Sequence, residues 1–536
     1  MISQLSIDNE SISVNAKKVR LQLHLRCLWK NQLCIDELSV GSLQVNTKAS
    51  ETPPIDNAVA ETPDESASLS LPFSVKMKKF VLAKAQINMQ SVNQGVTQAT
   101  EITLTDFSSA LSVSKNMSNI LAITIEKSLL AGADINVYEK QTSSTPVFDN
   151  ANQTWPLAKL PEIYLPIKLT MKLLTINALN VTQGDKNSEE SLQLASENTQ
   201  LSLTWFKSQL AIKTLSSTVK ELGDLGLKGT VTFVPPYLVD LQFSSDITDF
   251  EQVPQLNNSQ QQVLIKGDLS ELITKINSQG ELALTAEMAV DVTNKNLPYK
   301  LSADVTQFTL PTDISNVVTP STLQLDSKGD LHHQTIDLQS NISGFGYQNA
   351  ALEFSAVYDK QVFKINTLSF NETNTNNDEK TSHNTTNNLN MIGELQLGEQ
   401  VSWNVKLDST GITLPTIDPR VSGRVQGVIQ STGYWNEQAW AIALTESAIS
   451  GEINEMALNA QGNIDINHKG ELAQSDLKLS YADIGLNFSG YSDENWHVTG
   501  TTDIKQVNAL INDVEGAVSA NFSVSGPALH PEINLK

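Results

Sequence analysis

The chain has 536 residues, of which 40% are hydrophobic and only 6% are aromatic, and its formal net charge is −23. This composition is lean for large close-packed cores and favours an elongated body. The acidic balance, 36 Lys and Arg against 59 Asp and Glu, argues against nucleic acid and against an anionic membrane surface as partners.

A strand pattern of alternating residues begins at Ile2. Residues 1–20 lack the basic, apolar and small-residue order of a signal peptide, and no run approaches the roughly 18 apolar residues that span a bilayer. The sequence therefore predicts neither a signal nor a membrane anchor.

The next predicted element, residues 23–45, consists of two strands of alternating apolar and polar residues around a short polar turn. Cys27 and Cys34, the only cysteines, flank that turn, and their position predicts a cross-strand disulfide and an oxidising compartment. The alternative is a pair of inert buried thiols. No further Cys or nearby His completes a metal site, so no metal and no cofactor are predicted.

Composition and strand pattern divide the rest of the chain. After the N-terminal strands of residues 1–46, residues 47–70 are rich in Pro, Glu, Ser and Ala and predict a linker or loop. A repetitive β region follows over residues 71–370, then an Asn/Thr-rich loop over 371–388, and a continuing β region with Gly-containing repeats over 389–536.

Helical spacing is rare. One short helix is predicted from Asp268 to Ile276, because Leu269, Leu272 and Ile273 fall at helical spacing after an Asp suited to an N-cap.

Internal repeats are a strong signal. Residues 71–82 and 165–176, which begin 94 residues apart, share Leu-Pro, Met-Lys and the phase of their apolar residues. Residues 421–433 and 514–526, which begin 93 residues apart, share Val-x-Gly-x-Val. Recurrence at similar spacing predicts a multi-strand unit that is used repeatedly to build one long sheet.

Alternation with period 2 places every second residue on one face of a sheet. The clearest apolar stripes are formed by Leu121, Ile123, Ile125, Ile167, Leu169, Met171, Leu352, Phe354, Trp403, Val405, Leu407, Ile484, Leu486 and Phe488. Such a face has to be covered by a second sheet, by curling of the sheet on itself, or by an apolar ligand.

Motifs of catalysis are missing. The seven histidines show no metal-ligand spacing apart from the adjacent pair His332 and His333, which point to opposite faces of a strand. The sequence contains no phosphate-binding loop, nucleophile elbow or EF-hand. The chain is therefore not expected to be an enzyme, although carboxylates far apart in the chain leave glycosidase chemistry as an alternative.

Three groups of residues resemble one family. They are residues 27–45, the two Leu-Pro blocks, and the closing Val-x-Gly-x-Val and Ser-Gly-Pro-Ala-Leu-His-Pro-Glu-Ile blocks, and they resemble the periplasmic part of the TamB family of AsmA-like proteins. The early Cys-Leu-(variable)-Cys-hydrophobic-Asp-x-Leu pattern is the most specific of these.

The resemblance implies an all-β fold with few short helices, in which a long repetitive antiparallel sheet folds along its axis into an elongated apolar groove, called a β-taco. It further implies carriage of phospholipid between the inner and outer membranes of Gram-negative bacteria. It implies a periplasmic location, inner-membrane association in full-length relatives, and the outer-membrane barrel partner TamA. The family's anchor and TamA-binding domain are not recognised in this sequence, which predicts a partial family member.

Three functional hypotheses follow. In the first, the chain is a lipid conduit that supports outer-membrane biogenesis and is lined by the fourteen stripe residues. In the second, it is a chaperone-like scaffold for assembly of outer-membrane β-barrel or autotransporter proteins, with exposed strand edges that template pairing. In the third, it is an extracellular or surface β-solenoid whose groove is filled by its own side chains and whose polar face binds a protein or glycan.

Overall fold

The structure, a computed structural model, divides into two compact units, residues 1–297 and residues 298–536. It describes residues 2–9, 12–47, 73–93, 96–115, 121–141, 160, 162–184, 192–220, 222–248, 256–308, 318–344, 347–373, 386–414, 421–506, 516–527 and 530–536. Within these residues the chain forms 30 strands and one 3-10 helix. The predicted all-β fold is confirmed.

Unit 1 contains fifteen of the described strands and the 3-10 helix Leu25–Lys30. The strands are β1 (Ile2–Asp8), β2 (Ile12–His24), β3 (Gln32–Val40), β4 (Ser42–Thr47), β5 (Ser74–Asn93), β6 (Val96–Lys115), β7 (Leu121–Gln141), β8 (Leu165–Gln183), β9 (Leu192–Lys207), β10 (Gln209–Val219), β11 (Gly223–Thr232), β12 (Val239–Ile247), β13 (Ser259–Asp268), β14 (Glu271–Gly280) and β15 (Ala283–Val290).

Most neighbouring strands of unit 1 pair antiparallel, as their alternating pattern and short turns require. Two strands are exceptions. Strand β5 pairs parallel with β3 and β4, and strand β8 pairs parallel with β7. A parallel partner needs a long crossover connection, and both junctions follow long segments between strands. The repeated blocks 71–82 and 165–176 therefore supply the two strands that join the sheet in parallel.

The helix predicted from Asp268 to Ile276 is wrong. This stretch is the hairpin between β13 and β14, and the Asp268 carboxylate accepts backbone hydrogen bonds from Ser270 and Glu271 at 2.8 and 3.1 Å. An Asp that caps a turn and an Asp that caps a helix accept the same kind of bond. The strand pairing therefore overrides the local helical spacing.

The cysteines lie on two different kinds of element. Cys27 belongs to the 3-10 helix and not to a strand, whereas Cys34 lies in β3 opposite His24. The two are joined by a disulfide with a Cα–Cα distance of 5.8 Å. The bridge thus ties the connection between β2 and β3 to the sheet.

Unit 2 is an antiparallel meander in which each described strand pairs with the next. Its strands are β16 (Tyr299–Gln307), β17 (Val318–Gly329), β18 (His333–Gly344), β19 (Tyr347–Asp359), β20 (Val362–Thr373), β21 (Thr386–Gln396), β22 (Val401–Thr413), β23 (Gly423–Trp435), β24 (Trp440–Ile453), β25 (Met456–Asn467), β26 (Ser475–Tyr481), β27 (Ile484–Ser492), β28 (Trp496–Ile504), β29 (Val518–Ser525) and β30 (Glu532–Leu535).

The two segments predicted as loops fall mainly outside the described residues. Residues 48–70 of the first lie there, and so do residues 374–385 of the second. The ends of the second segment belong to strands, since β20 continues to Thr373 and β21 begins at Thr386.

Small side chains occupy the most buried positions of the described strands. Ala85 and Ala133 in unit 1 and Ala350 and Ala356 in unit 2 are almost fully buried, and so is Ser259. Small residues allow close approach of neighbouring chain segments. Larger apolar residues on the same strands are mostly half-buried.

Candidate functional site

One row of directly paired residues crosses unit 1 from β2 to β15 and is defined here as the unit 1 row. Its members are Leu23, Ile35, Met77, Leu111, Ile125, Met171, Leu203, Ile212, Gly229, Leu241, Ile265, Thr274 and Met288. Eleven of these thirteen are Leu, Ile or Met, and none is charged. Because paired residues in a sheet share a face, the row is a continuous apolar track across the strands.

Unit 2 carries two such rows of its own, defined here as the unit 2 rows. The first comprises Ala303, Leu325, Leu338, Phe354, Leu368, Met391, Leu407 and Ile429. The second comprises Gly427, Ile449, Ala460, Leu479, Leu486, Thr502 and Ala520. Both contain no charged residue.

The structure places the predicted stripe residues on or beside these rows. Ile125 and Met171 pair directly in the unit 1 row, and Ile123 pairs with Leu169 immediately beside it. Leu121 and Ile167 lie on the same strands. In unit 2, Phe354, Leu407 and Leu486 are row members, and Leu352, Trp403, Val405, Ile484 and Phe488 lie in the same strands on the same alternation.

Partial exposure distinguishes this face from a closed core. Of the fourteen predicted residues, thirteen are half-buried and Leu121 alone is buried. Their outward neighbours Lys168, Glu353 and Lys406 are exposed. The alternation therefore separates an apolar face from a solvated one, and the apolar face remains partly exposed.

A cavity of about 270 Å³ lies on this face of unit 1 across the five strands β8 to β12. Its lining is formed by Leu179, Val181, Leu194, Ser196, Thr199, Leu215, Ser217, Val219, Leu225, Gly226, Leu227 and Phe243. None of these belongs to the predicted set. Their alternation, as in Leu225 and Leu227, is the sequence signal that points to them.

The polar groups in the cavity are satisfied within the protein. Ser196 and Thr199 share a hydrogen bond of 3.0 Å, and Thr199 shares another of 2.7 Å with Ser217. Buried hydroxyls that bond one another do not require a ligand partner. Binding at this cavity therefore rests on apolar contact.

A buried polar cluster lies at the edge of the unit 2 face. Asn387 donates a 2.8 Å hydrogen bond to the carboxylate of Glu372, and its carbonyl oxygen accepts bonds from Thr413. Arg424 also donates to that oxygen at 3.4 Å. These hydrogen bonds join β20, β21, β22 and β23.

No arrangement for metal binding was found among the residues that the structure describes. In the same residues, no helix has the length and apolar character that a membrane span requires.

The whole chain, residues 1–536, matches the family model described as TamB, N-terminal domain. The chain is also similar to the translocation and assembly module subunit TamB of Haemophilus influenzae, with 21% identity over an alignment that covers 100% of this chain and 41% of that relative. It thus spans about two fifths of the length of this curated relative. No solved structure matches.

Proposed function

Because the chain belongs to the TamB family, we propose that it is a segment of a periplasmic conduit that moves phospholipid between the inner and outer membranes. In this proposal the chain is part of a translocation and assembly module, the complex that the name of its relative gives. TamA is the outer-membrane partner in that complex. It binds lipid and performs no covalent chemistry.

The observation that carries the proposal is the half-buried apolar rows. A row such as Ile125, Met171 and Leu203 continues from strand to strand without a charged residue. Strands are spaced about 4.8 Å apart, so an acyl tail laid across them meets a new apolar side chain at each step. The sites along the row are similar to one another, which favours sliding over capture at one position.

The free energy of burial on the apolar face favours the acyl tail of a phospholipid and not its charged headgroup. Each buried methylene contributes roughly 0.8 kcal/mol, so a tail gains free energy along its whole length on this face. A charged headgroup would lose its hydration there, and it stays in water at the open side of the face. Tail binding without polar contacts also matches the internally satisfied hydroxyls of Ser196, Thr199 and Ser217.

The experiment is mass spectrometry of lipids that co-purify with the detergent-free chain. The variant carries Leu169→Glu, Phe354→Glu and Leu407→Glu, all on the apolar face. A matched control places three Glu residues on the exposed outward face, at Ser244, Gln461 and Thr501.

Loss of bound phospholipid in the folded inward variant, with retention in the control, supports the conduit. If both folded variants keep their lipid, the apolar face does not hold it. If the native chain carries no lipid but pairs with unfolded barrel strands, the scaffold hypothesis replaces the conduit.

A further inference from the structure

One segment near the start of the chain is basic. Residues 11–35 contain five of the 36 Lys and Arg residues and no Asp or Glu, although the whole chain has a net charge of −23. The five are Lys17, Lys18, Arg20, Arg26 and Lys30. This segment therefore has a positive net charge, although the net charge of the whole chain is negative.

The tip of this segment is an exposed apolar knob, defined here as the 25–30 knob. It is the 3-10 helix Leu25–Lys30, in which Leu25 is 64% exposed and Leu28 is 48% exposed. Trp29 is 94% exposed. Three large apolar side chains in solvent within five positions form a patch that a folded chain usually covers.

The knob is held in place by the disulfide. Cys27 within it is bonded to Cys34, which is 4% exposed and lies in β3. The chain then leaves the knob through Asn31 in a left-handed conformation, whose N–H bonds the carbonyl of Leu28 at 3.0 Å. Trp29 is thus presented on a short tethered turn, which lowers the conformational entropy lost on binding.

The 25–30 knob carries two cations, Arg26 and Lys30. Among the residues that the structure describes, neither Arg26 nor Lys30 forms an ion pair. The carboxylate closest along the chain, Asp36, already binds Lys78 at 2.6 Å and His24 at 3.3 Å. The positive charge of the knob is therefore available to an external anion.

We propose that the 25–30 knob docks on the surface of a bilayer that contains anionic phospholipid. Trp favours the membrane–water interface, where its ring lies among headgroups and acyl chains, and Leu25 and Leu28 would insert beside it. Arg26 and Lys30 would contact the anionic headgroups. An acidic protein surface would pair with the two cations, but it would not explain why three large apolar side chains are exposed beside them.

The net negative charge argues against binding of an anionic surface by the chain as a whole, but it acts only weakly on docking of the 25–30 knob. At physiological ionic strength the Debye length is about 8 Å, so distant carboxylates are screened from the membrane surface while the knob's own cations touch it. The proposal needs only the knob, and it holds whether or not the apolar rows carry lipid.

Vesicle flotation with the full chain tests the proposal. Neutral phosphatidylcholine vesicles are compared with vesicles in which about a third of the lipid is phosphatidylglycerol. We expect binding to the anionic vesicles only. The variant Arg26→Gln with Lys30→Gln should weaken that binding about 30-fold, since each cation near an anionic surface contributes about 1 kcal/mol, or about a factor of five. Trp29→Ser should weaken it about tenfold.

Matched controls come from unit 2. Trp435 is 56% exposed, and Lys364 and Lys406 are exposed, so Trp435→Ser and the pair Lys364→Gln with Lys406→Gln remove one exposed Trp and two exposed positive charges elsewhere. These variants should bind as the native chain does.

Equal effects of knob and control variants would overturn the proposal, as would equal binding to neutral and anionic vesicles or no binding to either. Because Trp29, Arg26 and Lys30 are exposed, their variants are expected to fold, which circular dichroism checks. Binding of the native chain to an acidic protein but to no vesicle would assign the knob to a protein partner instead.

Discussion

The cavity on β8 to β12 gives the sharpest single-residue prediction. Phe243 in β12 lines it, whereas the next residue, Ser244, is exposed on the outward face. Phe243 pairs with Leu227 on one side and with Val263 on the other. Phe243→Glu and Ser244→Glu therefore introduce the same side chain and the same charge at adjacent positions on opposite faces.

The size of the effect follows from the cavity. If a methylene takes about the 30 Å³ of a water molecule, a volume of about 270 Å³ accommodates about nine methylenes. At roughly 0.8 kcal/mol each, they supply about 7 kcal/mol of gross binding free energy. A carboxylate at position 243 either loses hydration beneath the tail or excludes the tail from the cavity. Burial of an ion costs several kcal/mol of free energy, and we take about 3 kcal/mol as the loss of binding free energy in this variant. A loss of about 3 kcal/mol lowers the affinity about a hundredfold.

The assay is equilibrium binding of a phospholipid with a fluorescent acyl tail to the detergent-free chain, with circular dichroism as the check of folding. We expect Phe243→Glu to raise the Kd about a hundredfold and Ser244→Glu to leave it within twofold. Equal affinities for the two folded variants would refute the assignment of the cavity to acyl tails.

Two further predictions concern stability and pH. Gly427→Ala should destabilise unit 2 by about 1–3 kcal/mol, because Gly427 has φ +154° and an added Cβ would clash with the carbonyl oxygen of Ala448. Gly398→Ala, where an added Cβ meets nothing closer than 3.8 Å, should be near neutral in the same denaturation experiment, and equal losses would contradict the account. The hydrogen bond from Lys78 holds the pKa of Asp36 below its ordinary value of 3.8. This pairing therefore stabilises the β3–β5 junction above about pH 4, and the contribution is lost as pH falls through the lowered pKa. Lys78→Met should raise the pKa of Asp36 toward 3.8 in an NMR titration, and an unchanged titration would show that the bond is absent in solution.

Much of the sheet was predictable because alternation has a period of exactly two residues. Ile123 and Ile125 in β7, and Leu169 and Met171 in β8, were assigned to one face from each strand alone, and the pairing places them side by side. The repeated Leu-Pro blocks indicated a shared structural role, and both strands join the sheet in parallel.

Register between strands was not predictable from alternation. Bulges and single left-handed residues, such as Asn198 at φ 55°, shift the phase within a strand. This shift is why Thr199 and Ser196, three residues apart, line the same cavity. The 25–30 knob is not predictable for another reason, since a strand pattern through Leu25 and Cys27 continues that of β2 and gives no sign of the 3-10 turn.

The central claim, that acyl tails travel on the apolar face, is tested most directly by site-specific photo-crosslinking in Gram-negative cells that express the full-length protein. A photoreactive amino acid replaces Met171 or Phe354 on the apolar face, and Lys172 or Glu353 at the adjacent outward positions. Phospholipid adducts at 171 and 354, with none at 172 and 353, are the result expected of a conduit. Adducts at equal yield on both faces, or at neither inward position, would contradict it.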